Sequence, residues 1–211
     1  MIKNMTDYYV NDARSFSHIY EDMKSRTMLY FNELQAIHHY VINSNYIKGD
    51  LAEVGCHRGG TSYLIASASL LDKKVYSFDS FSGLQEAEEC DKQKVSVKGL
   101  FTASFDECSK FLSRFGERSK IIKGYLDDTL LLPEIQNNRY SFVYIDVDLY
   151  HAALQAYEHF FPRIESGGWL LSHEYKFVSS PGVDLALQEY FGDLDNYECY
   201  VVANQIAIRK L

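Results

Sequence analysis

Apolar runs and helical patterns alternate along the middle of the chain. The run from Leu51 to Gly55 is short and apolar and closes on glycine, which is typical of a buried parallel strand. Similar runs predict further strands over Lys74–Asp79, Lys120–Lys123, Ser141–Asp146 and Gly168–Ser172. Helices are predicted between the strands, over Thr61–Leu71, after the capping box Ser104-x-x-Glu107, over Leu149–Phe161 and over Val183–Phe191.

The two ends of the chain follow other patterns. Thr27–Tyr46 has apolar residues at spacings of three and four, which predicts a helix. Residues 1–25 are mixed and polar with no clear period, so we expect an arm or a lid there. The last residues suggest two strands joined near Ala203 and Asn204, and so short a link makes the strands antiparallel.

Alternating strands and helices predict an α/β fold, in which a parallel sheet carries helices on both faces. With the terminal hairpin, the sheet is mostly parallel and has seven strands. At 211 residues, the chain suits one structural domain. Within it we expect residues 1–49 to form an N-terminal arm and helix, as a lid or an interface, and residues 50–211 to form the ligand-binding and catalytic part.

Charge and composition argue against several classes of protein. The net charge is -8 and the pI is about 5.3, whereas nucleic-acid-binding surfaces are usually basic. No apolar run reaches the ~18 residues that a membrane helix requires. The first residues lack the apolar core of a signal peptide. We therefore expect a cytoplasmic protein with no nucleic-acid partner and no membrane partner.

The cysteines and the aromatic residues add less specific information. The four cysteines are widely spread and form no C-x-x-C pair, so we interpret them as reduced thiols rather than as a zinc site or a disulfide framework. The 17 tyrosines and 13 phenylalanines offer flat surfaces that suit an adenine, a sugar or a partner subunit. The aromatic N-terminal helix is a candidate interface for a homodimer.

A glycine-rich turn after the first predicted strand is the first candidate site. Its sequence is G-C-H-R-G-G, and Asp79 ends the next strand. In a βαβ unit, such a turn lets the backbone approach a nucleoside, and such a carboxylate accepts hydrogen bonds from two ribose hydroxyls. The turn matches neither the G-x-G-x-x-G of dinucleotide folds nor a P-loop. Arg58, within the turn, is a candidate to bind a carboxylate of the ligand.

A second candidate site follows the fourth and fifth predicted strands. Asp146 ends the fourth strand, and His173 and Glu174 follow the fifth. Because ligands bind beyond the carboxyl ends of parallel strands, we expect these three side chains to converge there. Two carboxylates and an imidazole can hold a divalent cation that lowers the pKa of a substrate hydroxyl. The alternative is structural: Asp146 caps the next helix and His173 packs in the cleft.

Six motifs stand in order along the chain: E-V-G-C-H-R-G-G-T-S, F-D-S-F-S-G-L, K-G-Y-L-D-D-T-L, Y-I-D-V-D-L-Y, P-R-I-E-S-G-G and V-D-L-A-L-Q-E-Y-F. Over about Arg26 to Phe191, the chain resembles the macrocin O-methyltransferase family. Members of that family use S-adenosylmethionine, often with magnesium, to methylate sugar hydroxyls on glycosylated natural products. The resemblance implies a Rossmann-like class I methyltransferase, in which a terminal antiparallel hairpin is the usual arrangement, and a small-molecule acceptor that contains a sugar.

The resemblance also implies roles for individual residues. One group would surround the methionine part of the cofactor: Glu53, Gly55, Arg58, Gly60 and Ser62. A second would lie at the ribose, with the aspartate on its hydroxyls: Asp79, Ser80 and Phe81. A third would lie near the adenine: Gly124, Asp127 and Asp128. Asp146 would be a metal ligand that also orients or deprotonates the acceptor.

One position departs from the family pattern. Relatives usually carry two consecutive aspartates after the fifth strand, both on the metal, whereas this chain has His173 and Glu174. The imidazole suits manganese better than magnesium. The main hypothesis is an O-methyltransferase assisted by magnesium or manganese at Asp146, His173 and Glu174. Two alternatives stay open: metal-independent transfer with His173 as the base, and cofactor binding without catalysis.

Overall fold

The computed structural model describes residues 15–91 and 97–211. The strands are β1 (Asp50–Val54), β2 (Val75–Asp79), β3 (Ser119–Lys123), β4 (Tyr140–Ile145), β5 (Ile164–Ser172), β6 (Glu198–Val202) and β7 (Gln205–Arg209). The helices are α1 (Phe16–Met23), α2 (Phe31–Ser44), α3 (Gly60–Ala68), α4 (Phe105–Leu112), α5 (Leu126–Thr129), α6 (Pro133–Gln136), α7 (Tyr150–Phe160) and α8 (Pro181–Phe191).

The seven strands form one sheet in the order β3-β2-β1-β4-β5-β7-β6. Strands β1 to β5 pair with one another in parallel, whereas β7 is antiparallel to β5 and to β6. This topology confirms the predicted mostly parallel sheet with a terminal antiparallel hairpin. The strand order reverses between β1 and β4, and ligands bind at such a reversal in open α/β sheets.

Alternating side chains of the central strands supply two hydrophobic cores, one on each face of the sheet. On β4, Phe142 and Tyr144 pack with α1, α2 and α3, whereas Val143 and Ile145 pack with α7 and α8. Both faces of the strands are therefore apolar, as is usual for a parallel sheet between two helical layers. Within the described residues, no helix combines the length and the apolar content needed to cross a membrane.

The N-terminal segment contains more helix than its sequence predicts. Phe16–Met23 is helical, although residues 1–25 show no clear period; the first 14 of these lie outside the described residues. Ile19 and Met23, four residues apart, are fully buried in the core on the side of the sheet covered by α2 and α3, and these two apolar positions hold the short helix in place. The next helix begins at Phe31 rather than Thr27, because Tyr30 is extended and its N–H donates to the carboxylate of Glu33, at the third helical position, at 2.7 Å.

Two other boundaries also differ from prediction. A short helix, α6 (Pro133–Gln136), lies between the third and fourth strands, where no helix was predicted, and Pro133 occupies its first position. Strand β5 begins at Ile164 rather than at the predicted Gly168, so Gly167 and Gly168 lie inside the strand. A Cβ on Gly168 would lie 2.7 Å from the carbonyl oxygen of Ser141, which explains why glycine serves inside this strand.

Candidate functional site

A cleft of about 350 Å³ opens beyond the carboxyl ends of the central strands, where the strand order reverses. Its lining includes two groups of residues. The first, the glycine end, consists of Gly55, Cys56, His57, Asp79 and Ser80. The second, the carboxylate end, consists of Glu33, Asp146, Asp148, His173 and Glu174.

Asp79 organises the glycine end through its two carboxylate oxygens. The backbone N–H of His57 donates a hydrogen bond to Oδ2 at 2.7 Å, and that of Phe81 donates to Oδ1 at 2.7 Å. Both donors have positive φ angles, 47° and 57° respectively, because the chain turns sharply at each of them. Each carboxylate oxygen retains a lone pair for a further donor, so the group can accept from two neighbouring hydroxyls.

Burial governs the protonation of this end of the cleft. Burial raises the pKa of the Asp79 carboxyl, and the two backbone N–H groups oppose that shift because they stabilise the carboxylate. Burial also lowers the pKa of the His57 imidazole, which favours its neutral form. The glycine end is therefore shielded from water, and hydrogen bonds to a ligand are stronger in such an environment than in water.

Gly55 joins the two ends of the cleft through the main chain. Its φ is 93°, and a Cβ there would lie 1.9 Å from the carbonyl oxygen of Asp146. The N–H of Asp146 in turn donates to the carbonyl of Val54 at 2.9 Å. Any other residue at position 55 would displace the backbone that carries Asp146, so only glycine fits.

His173 is the centre of the carboxylate end and contacts a carboxylate through each ring nitrogen. Nδ1 lies 2.9 Å from Oδ1 of Asp146 and 3.2 Å from Oε1 of Glu174. Nε2 lies 3.2 Å from Oε1 of Glu33. Glu33 belongs to the first turn of α2, where it also accepts from the N–H of Tyr30 at 2.7 Å. His173 thus links the end of β5 to the N-terminal helix.

These contacts set the charge of His173. Burial opposes a charge on the imidazole, but the carboxylates, with Asp146 foremost, outweigh it and raise the pKa of His173 to about 12. The ring is therefore protonated at neutral pH and donates from both nitrogens. Burial, aided by the charges of Asp146 and Glu174, also raises the pKa of Asp148 to about 7.

The carboxylate end also offers a donor set for a divalent cation. Ligand atoms of Asp146, His173 and Glu174 lie within 4.8 Å of one another. Oε2 of Glu174 is buried without a hydrogen-bond partner, which suits an atom that ligates a cation. The residues fit magnesium or manganese, provided that His173 releases the proton on its ligating nitrogen when the ion binds.

The structure brings seven of the predicted site residues together along the cleft: Gly55, Asp79, Ser80, Gly124, Asp146, His173 and Glu174. Glu53 and Ser62 lie beneath the glycine turn instead. The hydroxyl of Ser62 donates to the carboxylate of Glu53, and burial holds the pKa of Glu53 well above its usual range. Gly60 meets the backbone of Arg26 rather than the cleft.

The remaining predicted residues do not line the cleft. Phe81 packs its ring against Phe105, so only its backbone serves the glycine end. Asp127 and Asp128 are exposed, and Asp127 accepts hydrogen bonds from neighbouring glutamine side chains. Arg58 is also exposed, because it occupies the outer corner of the glycine turn, and its predicted contact with the cofactor stays a prediction.

Sequence reasoning missed several residues that line the cleft. Glu33 carries no signal of its own, because an acid in the first turn of a helix usually indicates capping only. Arg26 ends a segment without apolar periodicity. Asp148, the second acid of the motif Y-I-D-V-D-L-Y, was expected beside Asp146 at the end of the fourth strand but was given no role.

Comparison with known proteins places this fold and this cleft in one family. The family model described as Macrocin-O-methyltransferase (TylF) matches residues 18–194 of the chain. The chain belongs to the macrocin O-methyltransferase family. The match spans both candidate ends of the cleft, from Glu33 to Glu174.

Two curated proteins are similar in sequence. The 8-demethyl-8-(2,3-dimethoxy-alpha-L-rhamnosyl)-tetracenomycin-C 4'-O-methyltransferase of Streptomyces olivaceus is 25% identical over 142 residues, or 61% of this chain and 54% of that protein. The mycinamicin III 3''-O-methyltransferase of Micromonospora griseorubida is 24% identical over 199 residues, or 86% of this chain and 76% of that protein. The chain thus spans about half the length of the first relative and three quarters of the second.

A solved structure supports the same fold assignment. The O-methyltransferase NovP superimposes with a TM-score of 0.77 at 21% identity, covering 97% of this chain and 93% of NovP. Together with the strand order, this likeness confirms the Rossmann-like class I methyltransferase fold that the resemblance in sequence implied.

Proposed function

We propose that the protein is an S-adenosylmethionine-dependent O-methyltransferase that acts on a hydroxyl of a sugar or of a glycosylated small molecule. The observation that carries this proposal is one cleft, in a member of this family, that holds Asp79 at one end and Asp146 at the other. Asp79 has the lone pairs for two ribose hydroxyls, and Asp146 has a carboxylate for the acceptor.

The charges of the cleft suit this cofactor. When bound, S-adenosylmethionine supplies a methyl group on a positively charged sulfur. Five acidic side chains line the cleft, namely Glu33, Asp79, Asp146, Asp148 and Glu174, and they outnumber the two positive groups, His173 and Arg26, which favours a cationic ligand. Burial of these groups strengthens that attraction, because water screens them less.

The mouth of the cleft favours an acceptor with flat or apolar faces. Met28, Tyr30 and Phe177 line the cleft, yet their exposed fractions are 63%, 73% and 40%. Exposed aromatic rings of this kind pack on sugar rings and on apolar portions of natural products. A glycosylated small molecule offers both surfaces.

The chain's own residues then position the acceptor and remove its proton. In the proposed reaction, bound S-adenosylmethionine would supply the methyl group and leave as S-adenosylhomocysteine, and the carboxylate of Asp146 would take the proton of the acceptor hydroxyl. His173, protonated and 2.9 Å from Asp146, holds that carboxylate in place. Because such an imidazolium has no free lone pair, this arrangement favours Asp146 over His173 as the base. Alignment of the two reactants would supply much of the rate.

We further propose that Asp146, His173 and Glu174 hold a magnesium or manganese ion. Such an ion, when bound, lowers the pKa of the acceptor hydroxyl. A metal-independent reaction is the second candidate, because the proton on His173 already balances the surrounding carboxylates. Exhaustive chelation distinguishes the metal-assisted reaction from the metal-independent one. Methyl transfer that stops after chelation and returns when Mg²⁺ or Mn²⁺ is added supports the metal-assisted reaction. A transfer rate that chelation leaves unchanged supports the metal-independent reaction.

Methyl-labelled cofactor and a panel of free, nucleotide-linked and aglycone-linked sugars test the proposed reaction. We expect label in at least one sugar product, located on oxygen by mass spectrometry. Tight binding of S-adenosylhomocysteine with no transfer across the panel would instead support a cofactor-binding protein without catalysis. A homodimer through the aromatic N-terminal helix and a cytoplasmic location stay predictions, which light scattering and cell fractionation would test.

A further inference from the structure

Arg26 belongs to the N-terminal segment but lies directly against the glycine turn. It ends a short 3-10 turn, Lys24–Arg26, that follows α1. A Cβ on Gly60 would lie 2.7 Å from the carbonyl oxygen of Arg26 and 3.0 Å from Cβ of Thr27. Glycine at position 60 therefore lets the N-terminal segment approach the first turn of α3, and Arg26 comes to line the cleft.

The guanidinium of Arg26 packs on an aromatic ring, and one of its nitrogens has no hydrogen-bond acceptor. Its Cζ lies 4.5 Å from the centroid of the Phe111 ring, which holds the side chain by a cation–π contact. Its Nη1 is buried and has no hydrogen-bond partner. Because an unsatisfied, buried N–H of a charged group is costly, this nitrogen is suited to an acceptor on a ligand.

The charge of the cleft identifies that acceptor. Among the described residues that line the cleft, Arg26 is the sole lysine or arginine, opposite five carboxylates. S-adenosylmethionine carries two positive groups, the sulfonium and the ammonium, and a single anion, its carboxylate. The carboxylates of the cleft suit the positive groups. The imidazolium of His173 already faces carboxylates through both ring nitrogens, so Arg26 is the cation that suits the anion.

We propose that Arg26 binds the methionine carboxylate of S-adenosylmethionine, an assignment that rests on the proposed function. The arginine that the sequence suggested for this task, Arg58, is exposed and outside the lining. The N-terminal segment is then part of the cofactor site and not only a lid or an interface.

Two ligands that differ by the carboxylate alone test the assignment by isothermal calorimetry: S-adenosylmethionine and its decarboxylated analogue. In Arg26→Gln, we expect the affinity for S-adenosylmethionine to fall by about 10- to 100-fold, because a charge-assisted hydrogen-bonded pair is lost. The affinity for the decarboxylated analogue should stay within about twofold of the wild-type value. Arg26→Lys keeps the charge and should recover part of the loss.

Arg114 provides the matched control. Its guanidinium also lies over the Phe111 ring, at 5.0 Å, but its side chain is exposed and does not line the cleft. Arg114→Gln should leave both affinities unchanged, which separates loss of the carboxylate contact from loss of packing on Phe111. Arg58→Gln tests the competing arginine in the same assay.

Three results would overturn the assignment. Wild-type affinity in Arg26→Gln would remove this residue from the site. An equal loss for both ligands would mean that Arg26 only supports the fold of the turn. A selective loss in Arg58→Gln alone would transfer the role to that arginine. Wild-type protein that binds neither ligand would instead refute the proposed function itself, so the two failures are distinguishable.

Discussion

The two ends of the cleft are built from different parts of the chain. At the glycine end, main-chain groups fix the geometry: the N–H groups of His57 and Phe81 donate hydrogen bonds to Asp79, and Gly55 allows a close backbone contact. At the carboxylate end, side chains contact side chains: Asp146 and Glu33 lie on opposite nitrogens of the His173 ring.

This difference decides how each end tolerates change. Backbone geometry depends on glycines and on positive φ angles, so the glycine end allows few substitutions. The carboxylate end depends on contacts between side chains, and other residue types can make such contacts. The resemblance to the family implies two aspartates after the fifth strand; His173 and Glu174 stand there instead, and Nδ1 of His173 lies 2.9 Å from Asp146 and 3.2 Å from Glu174.

The largest effect should follow the loss of Asp79. In Asp79→Ala, the two proposed hydrogen bonds from the ribose and the two observed hydrogen bonds from backbone N–H groups disappear together, and hydrogen bonds to charged groups contribute ~1.5–3 kcal/mol each. We expect S-adenosylmethionine affinity to fall by at least about 100-fold in calorimetry. Asp79→Asn is the matched control, because it keeps one acceptor oxygen and should lose less. Unchanged affinity in Asp79→Ala would refute the glycine end as the cofactor site.

The carboxylate end should respond in the opposite sense. Asp146→Asn keeps the shape of the side chain but removes the proton acceptor, and general bases contribute about 100-fold or more to a rate. We expect kcat to fall by about that factor, whereas cofactor affinity stays within about threefold. Near-normal turnover would remove Asp146 from the chemistry. A parallel loss of cofactor affinity would show that the two ends are not separable.

A smaller effect should follow the loss of charge at Glu33. In Glu33→Gln the imidazolium of His173 loses one of its carboxylates, so we expect urea unfolding to show about 1–3 kcal/mol less stability. Glu107 is the matched control: it holds the same third position in its helix, α4, but its side chain is exposed. Glu107→Gln should change stability by less than about 0.5 kcal/mol. Equal losses of stability in the two variants would mean that Glu33 stabilises only the start of its helix and not the charge of His173.

The last prediction concerns the pH dependence of stability, to which two buried histidines contribute differently. Burial lowers the pKa of His159 to about 4, and Arg163 adds to that shift, whereas carboxylates raise that of His173. The unfolded chain protonates His159 near pH 6.5 but the folded chain does so only near pH 4. Its contribution to stability is therefore present above pH 6.5 and is lost as the pH falls to 4. In His159→Gln, we expect the free energy of unfolding to depend less on pH between pH 4 and pH 6.5. An unchanged slope in this range would contradict the lowered pKa of His159.

Much of the fold follows from the sequence because its strands are short apolar runs that end in glycine or acid. Leu51–Gly55 and Ser141–Asp146 were placed within one residue of β1 and β4. The helix Phe16–Met23 was missed, because its two buried residues, Ile19 and Met23, are too few to form a visible period. Tertiary packing, and not local pattern, creates that helix.

The site divides in the same way. Asp79 and Asp146 were predictable because a carboxylate at the end of a parallel strand has a fixed location in the fold. Glu33 and Arg26 come from a segment whose approach to the sheet depends on close packing against α3, which no local pattern encodes. Arg58 illustrates the converse, since a residue inside the right motif can still face solvent.

Gly55 has a consequence for how such an enzyme could change its acceptor. The peptide that carries Asp146 rests directly on Gly55, so in the proposed function the backbone of the sheet sets the distance between the bound methyl donor and the carboxylate of Asp146. Loops at the mouth of the cleft, such as those bearing Tyr30 and Phe177, could then change with the acceptor without altering that distance. The acceptor could therefore change in the course of evolution while the alignment of the reacting groups stays the same, because the absence of a Cβ at Gly55 preserves that alignment.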